Sequence, residues 1–199
     1  MGNIGIIGRA RVGKDTAGQW LVDNRGYRRV GFADALKEAA LRADPVIDDG
    51  NVGYSFSAMR LSELVRGYGW ERAKEIGDTR RFLQELGASI RAIDPDFWLR
   101  TAMAKVTAAN EDGVPCVITD VRYPNEAASL RRAGFHLVYI DRPGVPQLDH
   151  ESEGALQAED ADYLIHNDGD RLHFLREVEN FYSKVERFES RRHYARSLS

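Results

Sequence analysis

The sequence predicts an α/β protein built on a mostly parallel sheet, and three observations carry that reading. Short apolar runs with the look of buried strands alternate with stretches of helical periodicity along the chain. The first run, Ile4-Gly5-Ile6-Ile7, passes straight into a glycine-bracketed loop and then a helix. A length of 199 residues suits one domain, with room for a lobe inserted in it.

After the first strand, Ala17, Trp20 and Leu21 recur at helical spacing until Asn24-Arg25-Gly26 supplies a stop. A second strand is expected over Arg28 to Phe32 and a helix from Asp34 through Arg42. Asp44 to Ser57, with Pro45, Asp48-Asp49-Gly50 and Gly53, reads as a loop. From Ser57 to Ala109 the pattern is mostly helical, broken near Gly67-Tyr68-Gly69 and at Asp94-Pro95, with Phe82, Leu83, Leu86, Ile90 and Ile93 as one apolar stripe. Val114 to Thr119, His136 to Ile140 and Ala161 to Ile165 are three more expected strands. The first two are joined by a helix around Glu126 to Arg132 that Gly134 closes. The last helix carries Leu172, Leu175, Val178, Tyr182, Val185 and Phe188 at steps of three and four, the stripe of a packing helix.

Charge and cysteine usage narrow the function classes. The 28 basic and 31 acidic residues give a net charge of −3 and a pI near 6.0. That balance argues against a general nucleic-acid or membrane-surface binder. Cys116 is the only cysteine, which excludes an intrachain disulfide and a cysteine-rich zinc site; in Pro115-Cys116-Val117-Ile118 it reads as a buried core residue. No apolar run approaches the roughly 20 residues that span a bilayer, and the first residues lack the pattern of a signal peptide. The expected location is the cytoplasm.

The chemistry is concentrated in Gly8-Arg9-Ala10-Arg11-Val12-Gly13-Lys14-Asp15-Thr16. Glycines at both ends let backbone N–H groups turn inward around an anion, at the positive end of the following helix. Gly8, Arg11, Val12 and Gly13 form the cradle, and Lys14 is placed to reach the β- and γ-phosphates of a nucleotide. The strict pattern has Ser or Thr directly after the lysine to ligate magnesium; here Asp15 stands there and Thr16 follows, so the metal ligand lies between Thr16 and a water held by Asp15. The Asn-Lys-x-Asp run of GTPases is missing. A small phosphotransferase is the best class.

Sheets of this kind bind ligands beyond the carboxyl ends of their strands, so residues just after the strands are the next candidates. Asp120, at the end of the third expected strand, suits magnesium through water, and Arg122 suits an acceptor phosphate; a helix-initiating turn before Glu126 is the other reading. Arg142 follows the fourth, and Asp149 to Glu153 beyond it has the polarity of a lid over ATP. Asn167 and Gly169, after the fifth, fit either the adenine side or a plain turn. Between Arg80 and Arg91, positions 80, 84 and 91 share one helix face, with Gly87 and Ala88 beside it leaving room for a ligand. Two guanidiniums and the Gln84 amide there fit a phosphate and a base edge as well as they fit a solvated face.

Together these stretches, with Phe32 to Lys37 and Asp96-Phe97-Trp98, resemble the deoxynucleoside monophosphate kinases of bacteriophages, within the P-loop nucleoside-phosphate kinase group. The matching pieces are spread in order over most of the chain, and the Gly-Lys-Asp-Thr ending of the loop is the most discriminating. The resemblance implies a three-layer sandwich, a five-stranded parallel sheet flanked by helices, with a helical monophosphate-binding lobe over about residues 34–98 and a lid over about 142–158. It implies ATP and magnesium as cofactors and a deoxynucleoside monophosphate as acceptor. On that basis Lys14, Asp15, Arg122 and Arg142 are catalytic, and Gly8, Arg11, Val12, Gly13, Lys14, Asp15 and Thr16 with Asn167 and Gly169 hold the nucleotide. Asp34, Lys37, Arg81, Gln84, Arg91, Trp98 and Arg122 surround the acceptor, and Thr16, Asp15 and Asp120 serve the metal. Phe32, Tyr54, Phe56, Trp70 and Trp98 are either base-pocket or core aromatics. Neither nucleic acid nor membrane is expected as a partner, and a homodimer stays open. The alternatives are a P-loop kinase of a small hydroxyl or phosphorylated metabolite, with Asp15 or Asp34 as base, and a non-catalytic nucleotide-binding module.

Overall fold

A computed structural model describes residues 2–48, 58–146 and 154–198. In chain order the elements begin with β1 (Ile4–Ile7), α1 (Lys14–Arg25), β2 (Arg28–Arg29), α2 (Phe32–Ala43) and β3 (Val46–Ile47). There follow β4 (Met59–Arg60), α3 (Leu61–Ala73), α4 (Gly77–Ile93), α5 (Phe97–Glu111) and β5 (Cys116–Val121). The chain ends with α6 (Pro124–Arg132), β6 (His136–Asp141), β7 (Tyr163–His166) and α7 (Arg171–Ser197). It divides into two compact units, Met1–Gly31 with Met103–Ser199, and Phe32–Ala102.

The first unit is the sheet, in the order β2-β5-β1-β6-β7 with every pairing parallel. β1 is central, with Ile4 opposite Val117 on one side and His136 on the other. A strand with neighbours on both edges and cover on both faces has no wet side, which is why it is a continuous apolar run. Ile4 and Ile6 pack with Leu21 of α1 and with Phe174, Val178, Phe181 and Val185 of α7. On the other face Gly5 leaves space that Leu137 and Leu130 of α6 fill. The result is the three-layer α/β sandwich and the five-stranded parallel sheet that the sequence implied. Cys116 is buried, and burial pushes its thiol pKa up.

Four local expectations are corrected. The second strand stops at Arg29, because the chain leaves the sheet at once and Phe32 is buried as the first residue of α2. The expected loop after Asp44 contains β3, which pairs antiparallel with β4; two-residue strands show no alternation to read. Ile93 is 87% exposed, so the α4 stripe ends before it. On α7 the buried face is Phe174, Val178, Phe181 and Val185, whereas Leu172 and Phe188 face solvent.

The second unit has its own core, in which Ala40, Ile47, Leu61, Leu64 and Ala73 are buried beneath Trp70, Phe82, Leu83 and Leu86. Gly69, at φ 77°, interrupts α3 with non-helical backbone. Among the described residues no helix is long and apolar enough to cross a membrane.

Candidate phosphate-binding site

The loop after β1 is shaped by its glycines. Gly8 (φ 144°) and Gly13 (φ 111°) adopt backbone conformations that side chains oppose, and a Cβ on Gly8 would sit 2.5 Å from the Ile140 carbonyl oxygen. Gly13 caps α1 with no side-chain acceptor, and the positive end of that helix faces the loop, where an anion is favoured. Lys14 Nζ donates to the carbonyls of Gly8 and Arg9, both at 2.6 Å, and so lies folded along its own loop. Beneath it the buried Asn167 Nδ2 donates to the Val12 carbonyl at 2.8 Å. That bond accounts for Asn167 as a support of the loop, a position the turn chemistry of Asn167-Asp168-Gly169 did not reveal.

The ends of β5 and β6 form the walls. Thr119, 2% exposed, donates its hydroxyl to Asp15 Oδ1 at 3.0 Å. α1 comes close to β5 here: a Cβ on Gly18 would fall 2.3 Å from the Thr119 methyl. Buried Glu126 accepts the backbone N–H groups of Arg122 (2.8 Å) and Tyr123 (3.0 Å), which fixes the chain where it leaves β5 and begins α6. At the end of β6, Asp141 Oδ1 lies 3.3 Å from Arg9 Nη2, and its Oδ2 lies 3.9 Å from His166 Nδ1. Gly8, Arg9, Lys14 and Arg122 line an open pocket, with Ile7, Val121, Tyr139, Gly154 and Leu156 as the other described walls. Three cations around one small concavity at the strand ends favour an oxygen-rich anion.

The remaining expected residues fall as follows. Thr16 is half-buried in the first turn of α1, Asp120 is half-buried near the end of β5, and Arg142 and Gly169 are exposed after β6 and β7. Asp34 and Lys37 lie on α2, where Lys37 Nζ stands 5.7 Å from the centre of the Trp70 ring. On α4, Arg81 pairs with Asp78 and lies 3.5 Å from Glu85; these bonds raise its pKa further, Asp78 contributing most. Gln84 is exposed and Arg91 half-buried.

Two expectations on α4 and α5 are corrected. Gly87 leaves no opening for a ligand, because Leu36 of α2 lies 3.3 Å from where its Cβ would stand. Trp98 presents no ring to a base: it is 4% exposed, and its indole N–H donates to the Gly87 carbonyl at 3.3 Å. Tyr54, Phe56 and the Asp149 to Glu153 stretch lie outside the described residues. Arg9, Thr119, Glu126 and Asp141 were missed as site residues. Arg9 occupies a position where the loop pattern accepts any residue, and Asp141 obeys the same strand-end rule that singled out Asp120.

A parallel α/β sheet whose first strand runs into this glycine-bracketed lysine loop defines a P-loop nucleotide-binding protein. The model of the deoxynucleotide monophosphate kinase family matches residues 73–185, which hold α4 and the ends of β5, β6 and β7, and the chain belongs to that family. It is 29% identical over 208 residues to an Acanthamoeba polyphaga mimivirus protein provisionally named deoxynucleotide monophosphate kinase, covering 92% of this chain and 93% of the relative. It is 30% identical to the deoxynucleotide monophosphate kinase of Escherichia phage RB69, over 68% of this chain and 54% of that one. Among solved structures it is similar to dephospho-CoA kinase from Campylobacter jejuni, with TM-score 0.49, 13% identity, and 95% and 100% of the two chains covered.

Proposed function

We propose that this kinase moves the γ-phosphoryl group of ATP to the phosphate of a deoxynucleoside monophosphate. The observation that supports this reading most is the pocket at the strand ends, where Arg9, Lys14 and Arg122 gather positive charge beside the N-terminus of α1. Phosphoryl transfer asks a protein mainly for in-line positioning and for neutralisation of spread negative charge. An acceptor monophosphate, with a second pKa of about 6, already carries an ionised oxygen near neutral pH, so little general-base help is needed. That oxygen forms the new bond to the γ-phosphorus as the bond to the β-bridging oxygen breaks. ADP departs with the electron pair.

In this scheme the loop from Gly8 to Gly13 holds the inner phosphates and Lys14 turns from its own carbonyls to the β- and γ-oxygens. Arg122 and Arg142 add charge at the transferring group, and Asp34, Lys37, Arg81, Gln84 and Arg91 hold the acceptor. Asn167 serves the nucleotide through Val12, Gly169 lies on the adenine side, and Trp98 braces α4 through Gly87. The oxygen donors of Thr16, Asp15 and Asp120 fit magnesium, a hard cation that prefers hydroxyl, carboxylate and water. When bound, the ion would neutralise charge on the phosphate oxygens.

The test is an ADP-release assay with ATP, magnesium and a panel of deoxy- and ribonucleoside monophosphates. Turnover confined to deoxynucleotides is the expected result and gives the base preference directly. Silence across the panel from protein that binds ATP would overturn the acceptor assignment.

A further inference from the structure

We infer that Arg9 contacts the terminal phosphate of the bound nucleoside triphosphate, and that Asp141 is the residue that positions it. Arg9 follows Gly8 directly, and its carbonyl is one of the two that hold Lys14 Nζ. Its side chain, 27% exposed, lines the same pocket as Lys14 and Arg122. In a loop of this kind the backbone amides take the α- and β-phosphates while the lysine reaches the β and γ. A guanidinium that shares the lysine's pocket is therefore at the γ end.

The charge arithmetic points the same way. Among the described lining residues three are cations, Arg9, Lys14 and Arg122, and Asp141 pairs with the first of them. Cations gathered in this way attract an anion. Asp141 is itself well placed as a support. It ends β6, its carbonyl accepts the Asn167 N–H at 2.7 Å, and its carboxylate lies 3.3 Å from Arg9 Nη2. The second described contact of Arg9, to the Arg142 carbonyl at 3.5 Å, also uses Nη2. None of the described contacts uses Nε or Nη1, so a phosphate oxygen can bond there without breaking the pair with Asp141. A side chain already held loses less freedom on binding than a free one.

This inference rests on the reading that the loop binds a nucleoside triphosphate, and it is independent of which acceptor is used. The experiment is equilibrium binding of ATP and of ADP, with magnesium and no acceptor, to the full chain and to Arg9→Gln, Asp141→Asn and the double variant, with thermal unfolding recorded for each. Arg9→Gln is expected to weaken ATP about tenfold, the size of one lost charge-assisted hydrogen bond, and to change ADP less than about twofold. Asp141→Asn should weaken ATP by a smaller factor and add nothing in the double variant, because its effect passes through Arg9. Equal loss for ATP and ADP, or no loss, would overturn the inference, as would an Asp141→Asn effect that persists without Arg9. If Arg9→Gln unfolds, Arg9→Lys replaces it: a charge without the planar fork should still prefer ATP, but less than the parent chain does. A protein that binds neither nucleotide overturns both this inference and the function proposed above. A collapsed ATP-to-ADP preference with an inactive acceptor panel overturns only the acceptor.

Discussion

The buried hydroxyl of Thr119, near the end of β5, donates to Asp15 Oδ1 at 3.0 Å and so ties the sheet to the first turn of α1. Asp15 stands where the strict loop pattern has the metal-ligating hydroxyl, and its carboxylate is tethered to a rigid strand. Replacing Thr119 by Val keeps the shape and removes the donor. Because Asp15 is exposed, the stability cost should stay below about 1 kcal/mol. The effect is expected instead as a several-fold rise in the KM for magnesium-ATP, restored by Thr119→Ser. Steady-state kinetics of the two variants decide it, and an unchanged KM in Thr119→Val would show that the tether does not matter to the nucleotide.

Lys14→Ala should lower kcat by about a hundredfold or more, since it removes the loop ammonium placed to follow charge onto the transferring group. Its Nζ donates to the loop carbonyls of Gly8 and Arg9, which belong to no helix or strand, so the far-ultraviolet dichroism should not change. Near-normal turnover would sink the assignment of the loop.

Asn167→Ala leaves the buried Val12 carbonyl without that donor, at a cost of about 1–3 kcal/mol. Both a lower Tm and weaker ATP binding are expected, because the bond supports the loop from below. Asn167→Asp should be at least as damaging, since a carboxylate cannot donate to a carbonyl. A variant with lower Tm and unchanged ATP affinity would separate loop support from nucleotide binding.

Among the described residues of the second unit, three aspartates titrate below the usual range, as does Glu71 beside Lys74. Asp44 accepts the Ser62 backbone N–H, Asp78 is bonded first by Arg81 and then by the Asp48 N–H, and Asp94 is bonded by Arg100. A carboxylate depressed in the folded state contributes stability that is fully present above its unfolded value, about pH 3.9, and is lost as pH falls through the folded one. Urea midpoints should therefore be flat with respect to these groups near neutral pH and fall below about pH 4. The groups are solvent-accessible, so the drop should be modest and salt-sensitive. Asn at all three positions should flatten the acid limb when unfolding is followed by tryptophan fluorescence. An acid limb identical to that of the parent chain would acquit these aspartates.

What the sequence determined by itself was whatever lies in one contiguous run. β1, β5 and β6 were legible because central parallel strands are buried on both faces and must be apolar throughout. The phosphate loop was legible because its glycines and Lys14 act on one ligand across nine consecutive residues. Tertiary structure decided the rest, because it joins residues that no local pattern relates. Asp15 meets Thr119 across 104 positions, Arg9 meets Asp141 across 132, and Asn167 meets Val12 across 155. Gly87 looked like an opening until the fold laid Leu36 against it, and Trp98 looked like a base platform until burial turned its N–H to the Gly87 carbonyl. A side chain's chemistry is written in the sequence, but its partner is chosen by the packing of strands and helices that brings the two together.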